Sequence, residues 1–269
     1  MKRIIAMFSV ALAVGAAFAA TATPDVGGAG PGAIFAQTAR VGVTLTPATP
    51  GAQPTALTAG ETFAASGQVV TAPEDLATLL VLSNGDSVYL PLGGRMTLDE
   101  FTQDPVTDTG TSPDYEPSRS NVRLSLAEGT LLVSGRQPNS TSTLTILTPL
   151  ARLDVHSHTF AVKVGANSVS LTLFDGTAVV TVTETGFHDI VQDGQTAVLS
   201  RQNLHADYPL KMADTTTADH DTFTAWLTAA RTAERRVTFI GTPGKLQVRQ
   251  HIPRDFFEQM STDDPRFHQ

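Results

Sequence analysis

The chain has 269 residues, 41% of them hydrophobic, and a formal net charge of −8. This length suits one or two domains, and the negative charge disfavours nonspecific binding to nucleic acid or to anionic lipid. The absence of cysteine excludes disulfides and a lipid-modified cysteine, so core burial alone must hold the fold together.

Residues 1–22 have the pattern of a signal peptide. Lys2 and Arg3 form a short positive segment, residues 4–18 carry no charge, and small residues offer cleavage after Ala19 or Ala22. The apolar stretch is shorter than the roughly 20 residues that a membrane-spanning helix needs. We therefore expect cleavage and export to the periplasm or the exterior. The alternative is an uncleaved anchor in the inner membrane.

Residues 23–60 are rich in Thr, Ala, Pro and Gly and show little apolar periodicity. Such a composition buries too little surface to offset chain entropy, so it predicts a linker. Within it, Val41 to Leu45 alternates in the manner of a single edge strand.

Residues 61–210 predict an all-β domain. Turn residues separate short runs rich in apolar and β-branched residues, at 78–82, 88–90, 95–98, 122–126, 130–133, 143–147, 151–155, 159–164, 168–174, 177–183 and 196–200. No helix of useful length fits between these runs, which excludes parallel βαβ units.

An acidic residue or Asn beside Gly recurs before several of these strands, at Asn84-Gly85, Glu128-Gly129, Asp175-Gly176 and Asp193-Gly194. Glycine supplies the positive φ that tight turns require, so these pairs predict turns. Their irregular spacing leaves two architectures open, a Greek-key or jelly-roll sandwich and a β-solenoid.

Residues 102–121 form a polar interruption. It carries four acidic residues, Asp104, Asp108, Asp114 and Glu116, and three prolines. Carboxylates are calcium ligands, but the spacing of a calcium loop is missing. We expect a solvated surface loop.

Several segments, taken in order, resemble the FecR domain. The opening is similar at Ser66-Gly67-Gln68-Val69-Val70-Thr71, at residues 79–90 with Ser83-Asn84-Gly85-Asp86, and at Leu98-Asp99-Glu100-Phe101. The centre is similar at residues 122–133, at Leu147-Thr148-Pro149 and at Phe160-Ala161-Val162. The close is similar at Phe174-Asp175-Gly176 and Val191-Gln192-Asp193-Gly194-Gln195.

The resemblance implies a right-handed β-solenoid in the bacterial cell envelope that recognises another protein and takes part in signal transduction. In that family the domain is usually the periplasmic part of an anti-sigma regulator. Here only a signal sequence precedes it, so we do not expect signalling to a sigma factor. Where the family commonly carries Arg-Gly-Thr, this chain has His156, Ser157 and His158.

Asp154, His156 and His158 are the candidate binding residues. Their i, i+2, i+4 spacing would place them on one face of a regular strand. Two imidazoles and a carboxylate suit zinc or iron. Since one strand would supply all three, we expect a polar strand face, with no metal and no cofactor.

The sequence contains no hydrolase, metalloprotease or phosphate-loop motif. We therefore expect a non-enzymatic protein. A polysaccharide-active β-solenoid is the enzyme alternative, but one Trp and three Tyr offer few rings for sugar stacking.

Residues 211–269 predict a small helical appendage. Phe223, Trp226, Leu227 and Ala230 share one helix face, and Asp219 and Asp221 are placed to cap its start. We expect this helix to cover an exposed end of the β-domain. The alternative is a docking element for a partner. Phe256 and Phe257 predict a second short helix after Pro253.

Together these observations predict an exported, stand-alone FecR-like protein. We expect it to bind a partner protein, or serve as a scaffold, in the cell envelope. The alternative is a signal-anchored regulator of a transmembrane signalling partner.

Overall fold

The computed structural model describes residues 30–37, 43–47, 49–58, 60–64, 67–72, 74, 77–105, 114–234, 237–242 and 245–250. The predicted signal peptide and the helix predicted after Pro253 lie outside these residues. No helix in the described part of the chain has the length and apolar character needed to cross a membrane.

The described residues form β-strands and one long α-helix. The first strands are β1 Gly30–Pro31, β2 Ala33–Gln37, β3 Thr44–Pro47, β4 Thr55–Ala56, β5 Thr62–Ala64, β6 Gln68–Thr71, β7 Thr78–Leu82, β8 Ser87–Leu90 and β9 Arg95–Gln103. Next come β10 Ser120–Ser134, β11 Thr143–Leu147, β12 Ala151–His156, β13 Thr159–Gly165, β14 Ser168–Leu173, β15 Thr177–Val182, β16 His188–Gln192, β17 Gln195–Ser200 and β18 Leu210–Asp214. The chain continues with α1 Thr217–Glu234, β19 Val237–Thr242 and β20 Lys245–Gln250.

Strands β1 to β18 form two sheets that share β10. Sheet A has the order β4-β3-β6-β9-β10-β11-β12-β15-β16, with β1 beside β9. Sheet B has the order β5-β2-β7-β8-β10-β13-β14-β17-β18. The prediction of an all-β fold with a small C-terminal helix is confirmed.

The strand pairing does not support the predicted β-solenoid. Among the described strands of the two sheets, only β10 with β11 is parallel, and every other pairing is antiparallel. Regular β-solenoids such as the parallel β-helix stack their coils by parallel pairing. Here successive hairpins alternate between the sheets, with β11–β12 and β15–β16 in sheet A and β13–β14 and β17–β18 in sheet B. This is the pairing of the sandwich alternative.

The recurring glycines explain how the chain changes sheet. Gly129 lies within β10, where that strand passes from sheet A to sheet B, and Gly176 and Gly194 lie between strands of different sheets. All three have positive φ, at 99°, 69° and 71°. The predicted turn at Asp175-Gly176 is therefore confirmed. Asn84-Gly85 also lies in its predicted turn, between β7 and β8.

Residues 30–58, expected to be a linker, contribute strands to both sheets. β2 pairs with β5 and β7 in sheet B, and β3 pairs with β4 and β6 in sheet A. Val43, Leu45 and Leu57 are buried in the common core. A few well-placed apolar residues thus outweigh the Thr- and Pro-rich composition, because neighbouring strands supply hydrogen bonds that the segment alone lacks.

Helix α1 packs across the outer face of sheet B, whereas the prediction placed it over an exposed end of a β-solenoid. Its Leu227 and Ala230 join a second apolar cluster with Val81, Tyr89 and Leu132 of the sheet. At its start Thr216, rather than an aspartate, is the N-cap. The Thr216 hydroxyl accepts from the Asp219 backbone N–H at 3.2 Å, and the Asp219 carboxylate accepts from the Thr216 N–H at 2.9 Å.

Candidate functional site

Strand β12 carries two of the three predicted site residues. Asp154 and His156 point to the outer face of sheet A, since the alternate residues Leu153 and Val155 are buried in the core. The strand ends at His156, so His158 lies beyond it. The expectation that all three residues share one strand face is wrong in this respect.

Asp154 is engaged by its neighbours on the sheet. Its Oδ1 accepts from the Thr145 hydroxyl at 2.8 Å and from Nε and an Nη of Arg152 at 3.0 and 2.8 Å. A carboxylate oxygen that already accepts from a hydroxyl and a guanidinium is poorly placed to bind a metal as well.

His158 belongs to a separate polar cluster around Asp175. Its Nε2 lies 3.1 Å from Asp175 Oδ2, and its backbone N–H donates to Asp175 Oδ1 at 2.9 Å. The same Oδ1 accepts from the Ser157 hydroxyl at 2.7 Å and from the Thr159 N–H at 3.3 Å. Asp175 thus joins the β12–β13 turn to the turn after β14.

This cluster contains Ser, His and Asp, but not in the order that nucleophilic catalysis requires. In a triad the imidazole lies between the hydroxyl and the carboxylate and takes the hydroxyl proton. Here the Ser157 hydroxyl donates its one proton directly to Asp175 at 2.7 Å, with the Thr159 carbonyl, 3.2 Å away, as the alternative acceptor. The arrangement is that of a turn-stabilising network. In the described part of the chain no three His, Asp or Glu side chains are grouped to hold a metal ion.

The two sheets differ sharply on their outer faces. Sheet B presents apolar residues that α1 covers. Sheet A presents polar residues along a cross-strand row of Glu100, Arg123, Thr145 and Asp154, from β9 to β12. No described element packs over this row.

A groove of about 530 Å³ runs along this polar face. Arg123 and Asn121 of β10, Thr143 of β11, and Arg152 and His156 of β12 line it. Its walls therefore offer guanidinium, amide, hydroxyl and imidazole groups from three neighbouring strands. Such groups recognise the carboxylates and backbone amides of a bound chain.

Ion pairs within the sheet orient both arginines. Arg123 lies 3.1 Å from Glu100, and Arg152 lies 2.8 Å from Asp154. The two contacts use one guanidinium nitrogen of Arg123 and two of Arg152. Asn121 is fixed as well, because it donates to Glu100 at 2.9 Å and accepts from the Thr143 hydroxyl at 2.6 Å.

No local pattern in the sequence identifies Arg123 or Asn121 as groove residues. Alternation along β10 indicates that they share one face, but only the pairing of β10 with β11 and of β11 with β12 brings them beside Asp154 and His156. That parallel pairing joins segments on either side of an irregular loop, and local patterns do not reveal it.

The acidic loop also differs from expectation. Glu116, predicted to be solvated, is only 7% exposed. Its Oε2 accepts from the Asn139 N–H at 2.9 Å, and its buried Oε1 accepts no hydrogen bond from the described residues. Glu116 thus fixes the loop after β10 through Asn139. Asp108, another acidic residue of the predicted loop, lies outside the described residues.

No family model and no curated protein matches the chain. Two solved structures are similar to it, each the crystal structure of a candidate anti-sigma factor from Parabacteroides distasonis. They are 12% and 13% identical, with TM-scores of 0.42 and 0.41, and each comparison covers 72% of this chain and 91% of that chain. Similarity at this level assigns the chain neither a family nor a function.

Proposed function

We propose that this chain is a non-enzymatic, FecR-like module of the cell envelope that binds a partner protein. The observation that carries the proposal is the contrast between the two outer faces. Helix α1 covers the apolar face of sheet B, whereas the polar face of sheet A holds the groove and is covered by no described element.

The chemistry of the groove favours a protein partner. Protein interfaces are enriched in arginine, and orienting its guanidinium in advance lowers the entropy lost on binding. Both groove arginines are held by carboxylates of the same sheet, Glu100 and Asp154. The net charge of −8 disfavours nucleic acid as the ligand.

A polysaccharide-active enzyme is less well supported. Glycoside hydrolysis needs two carboxyl groups facing one bound sugar. The two acidic residues of the polar row, Glu100 and Asp154, are each paired with an arginine. None of the described residues that line the groove is Phe, Tyr or Trp.

Photo-crosslinking tests the binding face. A photoreactive residue at His156, inside the groove, should form a discrete adduct with one envelope protein. The same residue at Lys163, which is exposed on β13 of sheet B, serves as the matched control and should not. Arg152→Glu should reduce the yield of the His156 adduct at least about tenfold, because it replaces a positive charge that lines the groove with a negative one. Equal adducts at both positions, or none at His156, would reject the groove.

We propose export by signal-peptide cleavage, and an N-terminal sequence of the mature protein tests it. A mature chain that begins at residue 20 or 23 in a soluble envelope fraction supports the released module. An intact Met1 in the membrane fraction supports the alternative, a signal-anchored regulator of a transmembrane partner.

A further inference from the structure

Strand β16 is the last strand of sheet A, and among the described strands it pairs only with β15. The opposite end of that sheet is β4, which has two residues. A five-residue edge presents unpaired backbone groups on which another chain can add a strand. The open side of β16 is therefore the longer edge of sheet A.

Two side chains occupy that edge. The Val182 N–H donates to the Phe187 carbonyl at 2.8 Å, so these two residues are a hydrogen-bonded pair of the β15–β16 hairpin. In an antiparallel pair, such positions alternate with positions whose N–H groups point away from the partner strand. The N–H groups of Ile190 and Gln192 therefore point away from β15. Ile190 N–H donates to Asp189 Oδ1 at 2.8 Å, and Gln192 N–H donates to Gln195 Oε1 at 2.9 Å.

We propose that Asp189 and Gln195 prevent this edge from pairing with a second copy of the same chain. Without these acceptors, β16 pairs antiparallel with β16 of another molecule about a two-fold axis at Ile190. In this register the outward N–H and C=O groups of the two copies bond to each other. Ile190 pairs with Ile190 of the second copy, and His188 pairs with Gln192 of the second copy.

Two features make a second copy the fitting occupant. Ile190 is 56% exposed on the outer face, and the two-fold axis sets this apolar side chain against its own copy. The same register brings the two Asp189 carboxylates into diagonal positions about 7 to 8 Å apart, where like charges repel. Asp189 therefore opposes pairing both as an acceptor and as a charge.

The chain contains no cysteine, so an introduced thiol reports on this pairing alone. We would place Ile190→Cys in the wild-type background and in an Asp189→Ala/Gln195→Ala background. Opposed residues in a hydrogen-bonded pair have Cα atoms about 5.5 Å apart, within the range that a disulfide bridges. The control is Val198→Cys on β17, which is 37% exposed but has a paired strand on each side.

Under mild oxidation, the Ile190→Cys dimer should form at least about tenfold faster in the Asp189→Ala/Gln195→Ala background than in the wild-type background. Val198→Cys should show no such difference, and the cysteine-free double variant should sediment partly as a dimer. Asp189→Ala alone supplies the test if the double variant unfolds, and it should crosslink faster than the wild-type background. Asp189→Asn keeps the acceptor and should crosslink more slowly than Asp189→Ala. Equal crosslinking rates of Ile190→Cys in the two backgrounds would overturn the proposal. So would a wild-type protein that is already a dimer through Ile190.

Discussion

The indole of Trp226 lies on the ring of Tyr89, with the ring centroids 5.3 Å apart and the planes inclined by 25°. Tyr89 is on β8, so this contact joins α1 to the outer face of sheet B. Phe223 extends the cluster, with its centroid 5.5 Å from Trp226 and 5.6 Å from Phe174. Burial raises the pKa of the Tyr89 phenol, which keeps it neutral beneath the helix.

Trp226→Ala should destabilise the fold. Complete burial of a tryptophan corresponds to 3 to 5 kcal/mol, but Trp226 is only half-buried, so we expect about 2 to 3 kcal/mol in denaturant unfolding. Asp221→Ala, on the exposed side of the same helix, should change stability by less than about 0.5 kcal/mol. An unchanged melting temperature for Trp226→Ala would favour a helix that detaches to dock elsewhere.

The cap of α1 should depend on pH through Asp219. Hydrogen bonds from the Thr216 hydroxyl and backbone lower the pKa of this carboxyl. A lowered folded pKa means that the group stabilises the fold above its unfolded pKa, near 3.9, and that this stability is lost as pH falls through the folded pKa. Asp219→Ala should cost about 1 kcal/mol at pH 7. The difference from wild type should shrink as pH falls below the unfolded pKa and through the lowered folded pKa. A difference that stays constant with pH would contradict this role.

Gly176 and Gly194 form a matched pair, since φ is 69° at one and 71° at the other. A Cβ at Gly176 would lie 2.4 Å from the His156 carbonyl oxygen, whereas one at Gly194 would meet nothing within 4 Å. Gly194→Ala should therefore cost only the backbone term of about 1 to 2 kcal/mol. Gly176→Ala should cost clearly more, about 3 kcal/mol or above. Equal losses in thermal unfolding would show that the turn relaxes around the new methyl group.

Asp175 and Asp193 precede these two glycines and should also differ. Asp175→Ala removes an acceptor from Ser157, His158 and Thr159, so we expect a loss of about 2 to 3 kcal/mol in chemical denaturation. Asp193→Ala, at an exposed position, should be within about 0.5 kcal/mol of wild type. If the two variants were equally stable, Asp175 would not be the residue that joins the turns.

We expect no stoichiometric zinc or iron in the purified protein. Asp154 is paired with Arg152, and His158 contacts Asp175, so the groups do not face one ion. The His156→Ala/His158→Ala variant should therefore show the same metal content by elemental analysis as wild type. One metal per chain that disappears in the double variant would reveal a site that His156 and His158 form together.

The sequence predicted the strands well because alternation and turn chemistry are local. Residues 78–82 and 143–147 form strands with the predicted bounds. The two strands predicted around Gly129 are one, because glycine lets β10 bend without ending. The short strand at His188 to Gln192 was missed, since its residues are mostly polar and exposed.

The arrangement of those strands and the groove could not be predicted in the same way. Which hairpin pairs with which depends on contacts between residues far apart in the chain, such as Gly129 opposite Val164. Asp154 and His156 were identified from one strand, but their neighbours Arg123 and Asn121 depend on the pairing of β10 with β11.

The shared strand β10 has a consequence for the order in which a growing or translocating chain can fold. β8 and β9 both pair with β10, one in each sheet. The edge of β9 is satisfied only when residues 120–128 have emerged, and the edge of β8 only when residues 132–134 have emerged. Until then the N-terminal strands expose edges that invite aggregation. Afterwards each hairpin pairs with a strand of its own sheet that is already in place, β11 and β13 with β10, β15 with β12, and β17 with β14. Synthesis of Ser120 to Ser134 is thus the step that commits the chain to a single topology.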